Sequence, residues 1–424
     1  MWLLDKMLRR AVRKGRLTVT DHDGKVYQYG PGSGGDTLSV RLTDRKAAWH
    51  IARDPAVGTG EAYMDGRLVV EPPHDIRDLI LFVAGQVRAE GDVFKPQSPL
   101  RRAVDRIGSR LDQFNHRVRA RKNVEHHYDL TRRFYELFLD TDRQYSMAYW
   151  RDPENSLERA QVDKKALIAA KMRIEPGMRV LDIGGGWGGF ALFLNKHYGC
   201  EVLGVSLAPD QVRFANERFA AAGVSDKVKF ELIDYRDVTG KFDRISSIGM
   251  LEHVGRGNYG EYFAKTYDLL ADDGVMLTHT IGLVRAAGTT DRWNRKYIFP
   301  GHYLPAITEL APPIERAGWE LSDIEILRYH YAYTLEEWYR RAGQHRAEIE
   351  QLYDARFYRM WQFYLAGAEQ GFRHGDLVNF HIQTVKQRNA VPMTRDYIFE
   401  ESKRLMAAEE APEWHLAREV QAAE

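Results

Sequence analysis

The chain is nearly devoid of cysteine. Among 424 residues Cys200 stands alone, which excludes an intramolecular disulfide and suits a reducing cytoplasm. No run of roughly eighteen apolar residues appears, and the opening lacks the uninterrupted apolar core of a signal peptide. Membrane contact, where it occurs, is therefore expected to be peripheral. Net charge is almost absent at +1, so no global field draws the molecule to nucleic acid. Apolar residues are not scarce: 44% of the chain is hydrophobic, enough for large cores, and the length points to two domains.

The charge that is present is unevenly placed. The first sixteen residues, MWLLDKMLRRAVRKGR, carry six Lys/Arg against one acid, and 100–122 carries eight against two. Such runs serve either as solvated helix faces or as surfaces that meet anionic lipid headgroups.

The stretch around which the chain is organised is VLDIGGGWGGFALFL, Val180 to Leu194. An apolar β-branched run, a glycine turn and an apolar helical run read as strand, tight turn and helix. Glycines let the backbone approach a ligand closely, and the first N–H groups of a helix are left as donors. A phosphate cradle would want Lys-Ser or Lys-Thr after the glycines, and there is none. Gly184, Gly186 and Gly189 satisfy the dinucleotide spacing formally, but the second strand ends in Ser206 and Gln211 where a ribose-binding carboxylate is expected. The run D-x-G-x-G-x-G after a strand instead resembles the nucleotide-binding turn of class I S-adenosylmethionine-dependent methyltransferases.

Ahead of this stretch, RLTVTDHDGKVYQY alternates around Asp23-Gly24 as a β-hairpin. A strand over 37–42 and helices over 44–54 and 74–91 complete a small amino-terminal α+β domain at 1–97, followed by a basic helical connector at 98–122. Residues 123–400 alternate strand and helix, which specifies an α/β fold with a mostly parallel sheet. Ligands of such sheets sit beyond the carboxyl ends of the strands, where Gly184, Ser206, Asp234, Gly249 to Glu252 and His279 are expected to converge. An aromatic-rich segment interrupts the last strands and suits a cap over an apolar tunnel. Residues 401–424 read as a helical tail.

Taken together, FYELFLD, QYSMAYW, VLDIGGGWGGF, SIGMLEHVG, THTIG, YIFPGHYLP and YAYTLEEWY resemble, in order and approximate spacing, the cyclopropane-fatty-acyl-phospholipid synthases and the related mycolic acid cyclopropane synthases. GEAYMDG resembles the bacterial phospholipid enzymes, which carry an extra amino-terminal domain. The resemblance implies a Rossmann-like methyltransferase sheet with a helical cap. It also implies transfer of a one-carbon unit from S-adenosylmethionine to the cis double bond of an unsaturated phospholipid acyl chain, closing a cyclopropane ring. In that family a bicarbonate ion serves as the base, and the matching positions are Glu252, His279, Ile281 and Tyr331. Cofactor contacts carry over to Tyr145, Ser146, Gly184, Gly186, Ser206, Gln211 and Tyr235, with Asp182 bracing the turn; no metal is implied.

Two departures stand out. Met147 replaces a family cysteine that lies against the bicarbonate, which leaves a methyl- or methylene-branched product open beside the cyclopropane. Gly185 replaces a cysteine common in the turn, with little consequence expected. The implied setting is the inner face of the membrane, with peripheral contact to anionic lipid, and the amino-terminal domain is the candidate contact of a homodimer. A small-molecule methyltransferase and a non-catalytic lipid-binding protein on a relic cofactor fold are the rival readings.

Overall fold

The computed structural model describes residues 1–90, 130–285 and 291–411. The basic connector at 98–122 and residues 412–424 of the expected tail lie outside the described residues. Among the described residues no helix is long and apolar enough to cross a membrane. Packing divides the chain into two compact units, one of 1–90, 291–300 and 335–376, the other of 130–285, 301–334 and 377–411.

The chain opens with α1 (Trp2–Ala11), which buries Leu4 and Ala11 and carries Lys6, Arg9 and Arg10. The alternating hairpin forms as its pattern demands: β1 (Arg16–Thr20) pairs antiparallel with β2 (Val26–Tyr29), and β3 (Thr37–Leu42) joins β1 in parallel. Asp44 caps α2 (Arg45–Arg53) by accepting the Ala47 N–H. Then come α3 (Pro55–Met64), β4 (Leu68–Val70) and α4 (Ile76–Glu90), and the four strands order as β2-β1-β3-β4.

After the short α5 (Arg132–Glu136) comes α6 (Leu157–Lys171), capped by Ser156. This helix is buried nearly all round, with Asp163, Lys164 and Lys171 each at 1% exposure. Buried charges need partners, and those of α6 organise the site described below. The alternation then runs β5 (Arg179–Ile183), α7 (Gly189–Tyr198), β6 (Glu201–Val205), α8 (Pro209–Ala221), β7 (Val228–Glu231), a single 3₁₀ turn at 235–237, β8 (Phe242–Ile248), α9 (Leu251–Val254), α10 (Tyr259–Leu269) and β9 (Leu270–Leu283).

The remaining elements are α11 (Arg292–Tyr297), α12 (Ile307–Arg316), β10 (Glu320–Leu327), α13 (His330–Gln344), α14 (Arg346–Leu352), α15 (Ala355–Arg373), β11 (Leu377–Val385) and α16 (Asp396–Ala408). The seven strands order as β10-β11-β9-β8-β5-β6-β7, with β11 antiparallel to both β10 and β9 and the other pairs parallel. The order reverses between β5 and β8, the topological switch point beside which such sheets bind ligands.

The division by packing differs from the one read from composition. The aromatic segments expected to cap the sheet, 291–300 and 335–376, pack with residues 1–90. Helix α15 lies on α3 and α4, and Arg77 of α4 makes a two-pronged contact with the fully buried Glu369 of α15 (2.6 and 2.7 Å) while also reaching Glu336 at 2.7 Å. A buried carboxylate held this way makes partners of segments nearly three hundred residues apart. Helix α16, expected as a tail from 401, packs on α6 within the sheet unit.

Candidate active site

The glycine turn forms at the carboxyl end of β5. Gly184, Gly186 and Gly188 have φ of 75, 57 and 84°, left-handed values that a β-carbon would strain, and α7 starts at Gly189 directly behind them. Asp182 lies under the turn at 2% exposure and accepts a hydrogen bond from Ser246 Oγ of the adjacent β8 at 2.7 Å. Burial pushes its carboxyl up to about 6.

Gly185 corrects the expectation of little consequence. A β-carbon there would lie 2.4 Å from Phe230 Cζ. The Phe230 ring, from β7, fills the place a family cysteine would take, so the glycine is a steric requirement of this core.

At the next strand ends, Ser206 Oγ receives the Ala208 N–H at 3.2 Å and faces Gln211 Oε1 at 3.3 Å. That pairing draws the start of α8 toward the end of β6. Tyr235 follows β7 on the 3₁₀ turn, capped by Asp234 and packed edge-on against Tyr262 at 5.6 Å.

The loop bearing Tyr145, Ser146 and Met147 is pinned by side chains of α6. Gln161 donates to the Ser146 carbonyl at 3.0 Å, and Lys164 Nζ donates to Ser146 Oγ at 2.7 Å. Burial drags Lys164 down to about 7. Asp140 Oδ1 accepts the Gln144 N–H at 2.7 Å, and Asp142 is clasped by Lys165 and Arg218. Tyr145 packs edge-on against Tyr135 at 5.7 Å, and Met147 is completely buried. Just beyond it, Thr334 Oγ1 of α13 receives both the Ala148 N–H and the Trp150 indole N–H at 3.0 Å. Tyr331, 7% exposed, sits one helical turn before Thr334.

Glu252 and Ile281 are in direct contact. The Ile281 N–H donates to Glu252 Oε1 at 2.6 Å, whereas Oε2 has no hydrogen-bond partner among the described residues. Burial raises this carboxyl to about 7, with the Ile281 bond as the leading opposing influence. Gly184 lies against the same loop, since a β-carbon on it would sit 3.3 Å from Met250. The Gly249 N–H donates to the His279 carbonyl at 2.9 Å, tying that loop to β9.

His279 does not stand alone. Its Nδ1 lies 2.8 Å from Nε2 of His381, whose Nδ1 lies 2.9 Å from Lys171 Nζ, and Lys171 pairs with Glu325. Burial, reinforced by Lys164 and Lys171, holds His279 well below the ordinary histidine value, so it is neutral. His381, Lys171, Lys164 and Gln161 escaped the sequence reading. Nothing local signals the cross-strand register or the helix face that joins them.

Comparison with known proteins follows the same lines. A model of the mycolic acid cyclopropane synthetase family matches residues 115–382. The chain is 35% identical over 345 residues to the cyclopropane-fatty-acyl-phospholipid synthase of Escherichia coli strain K12, covering 81% of this chain and 87% of that one. It is 31% identical over 389 residues to a probable fatty acid methyltransferase of Pseudomonas putida, covering 89% and 94%. The solved structure of mycolic acid cyclopropane synthase CmaA1 complexed with SAH and CTAB superimposes with a TM-score of 0.59 at 30% identity, over 62% of this chain and 97% of that chain.

Proposed function

The chain belongs to the mycolic acid cyclopropane synthetase family, and from that premise we propose that it transfers a one-carbon unit from S-adenosylmethionine to the cis double bond of an unsaturated phospholipid acyl chain and closes a cyclopropane ring. One observation carries this reading. A fully enclosed carboxyl, Glu252, has one oxygen fixed by a backbone N–H and the other without a hydrogen-bond partner among the described residues, at the strand ends that bear the glycine turn. An unsatisfied buried oxygen costs about 1–3 kcal/mol, a cost that a small hydrogen-bonding anion removes.

S-adenosylmethionine supplies an electrophilic methyl when bound, and SAH in the CmaA1 complex supports it as the cofactor. Gly184 and Gly186 would let the backbone approach it, Ser206 and Gln211 would meet its ribose, and Tyr235 offers a stacking face to its adenine. Bicarbonate, held by Glu252, His279, Tyr331 and the Ile281 backbone, would supply a weak base. The carboxyl of Glu252 places negative potential where positive charge develops on the acyl chain. Burial of Glu252, His279 and Met147, each at 2% or less, keeps water from that charge. Contact with the inner membrane face is supported by α1, which presents Lys6, Arg9 and Arg10 together with Trp2 at 76% exposure.

A methyl- or methylene-branched product is the second reading, and Met147 favours it, because a fully buried thioether without an S–H donor replaces the family cysteine. Trideuteromethyl methionine fed to expressing cells separates ring closure from a methyl branch, and olefinic proton signals mark a methylene branch, which like the ring keeps two deuteriums. Ring closure leaves two deuteriums in the lipid, a methyl branch formed with loss of a chain proton leaves three, and no label in the acyl chains refutes both.

A further inference from the structure

Strands β10, β11 and β9 are neighbours in the sheet, and their register sets Glu325 opposite His381 and His381 opposite His279. Directly opposed residues of antiparallel strands point to the same face, so these three side chains form one row across the sheet. Lys171, at the end of α6, lies on that row and touches both His381 Nδ1 (2.9 Å) and Glu325. The two histidines are 1% exposed and the Lys171 side chain is equally enclosed, while the Glu325 side chain is 26% exposed. Glu325 also lines a cavity of about 240 Å³ with Tyr149, Arg151, Arg395 and Lys403. The row thus runs unbroken from the candidate site to that cavity, and the scheme above assigns nothing to His381, Lys171 or Glu325.

We propose that His381 and Lys171 are positioning residues that carry the proton released in the site from His279 to Glu325 and the cavity behind it. This rests on the function proposed above. With Lys171 as the free amine, His381 Nδ1–H donates to Nζ, His279 Nδ1–H donates to His381 Nε2, and His279 Nε2 keeps its lone pair for the site. A proton taken up at His279 Nε2 sends the Nδ1 proton to His381 Nε2, and the His381 Nδ1 proton passes to Lys171. Both rings end neutral in the opposite tautomer, Lys171 becomes an ammonium beside Glu325 and hands that proton to the Glu325 carboxylate at the cavity, and no electrons are exchanged. Burial draws Lys171 below the ordinary lysine value, against the pull of Glu325 and Asp323. The charged and titratable groups facing the row are Lys164 and Lys171 from α6, Glu325 and Asp323 from β10, His330 at the start of α13, and Arg395.

The decisive measurement is nitrogen NMR of the ¹⁵N-histidine-labelled full chain between pH 6 and 9. The expected result is a joint tautomer exchange of His279 and His381 that passes through no imidazolium and disappears in Lys171→Met. Independent titrations, or an exchange that survives in Lys171→Met, overturn the relay. In parallel, His381→Gln is expected to lower kcat by about 10²-fold while KM for S-adenosylmethionine stays within about twofold. Lys171→Arg, which fixes one tautomer but accepts no proton, is expected to fail to restore turnover; an unchanged kcat in His381→Gln, or rescue by Lys171→Arg, overturns the relay. If the wild-type chain alkylates no lipid, the function above fails, whereas the tautomer experiment still decides the row.

Discussion

Gly185→Ala tests how tightly the cofactor turn is packed. Unlike its neighbours, Gly185 is outside the left-handed region, so an alanine there would by itself gain about 0.4–1 kcal/mol through the unfolded chain. The new β-carbon, however, would lie 2.4 Å from Phe230 Cζ, 2.8 Å from Cε2 and 2.9 Å from Asp182 Oδ2. The Phe230 ring has little room to yield, because it also covers Gly204, whose ideal β-carbon would sit 1.9 Å away, and meets Phe219 edge-on at 5.2 Å. Overpacking of this kind costs about 1–3 kcal/mol, leaving a net loss of about 1–2 kcal/mol. In a Phe230→Leu background the obstructing ring is gone and the same substitution should be neutral or slightly stabilising, giving a coupling of about 2 kcal/mol. Urea denaturation of the four proteins measures the cycle, and calorimetric titration with S-adenosylmethionine shows whether the turn has moved. Equal effects of Gly185→Ala in both backgrounds, or a gain in stability in the wild-type background, would refute the argument.

Two further outcomes follow from the buried charges. Glu252 has its pKa raised by burial, from 4.5 to about 7, so the stability it allows is full below pH 4.5 and declines as pH rises through 7. Glu252→Gln should therefore match the wild type at pH 4.5, exceed it by about 2–3 kcal/mol at pH 8, and lack turnover; thermal melts across that range check the sign, and a difference independent of pH would count against it. Arg77→Met leaves the fully buried Glu369 with Arg373 as its remaining partner among the described residues. It should destabilise the unit of 1–90, 291–300 and 335–376 by about 3 kcal/mol, read as early loss of its hydrogen-exchange protection while the sheet unit stays protected.

Local chemistry carried much of the architecture. The alternation of 16–29, the capped run after Ser156 and the glycine turn at 184–189 each satisfy backbone rules within a few residues, and β1, β2, α6 and β5 form where those rules put them. The meeting of Glu252 with Ile281 was not legible in this way, because Ile281 lies within β9 and entered only through the family resemblance.

What the linear order could not convey is contact across long separations. The aromatic segment 335–376 meets 1–90 through contacts such as Arg77 with Glu369, and that Gly185 admits no β-carbon depends on where Phe230 points from β7. The alignment of Glu325, His381, His279 and Lys171 requires three strands in one register under one face of a helix. Periodicity and glycine placement are properties of a segment and can be read from it. Register and side-chain contact are settled only when distant segments compete for the same space, and that competition takes place in the folded chain.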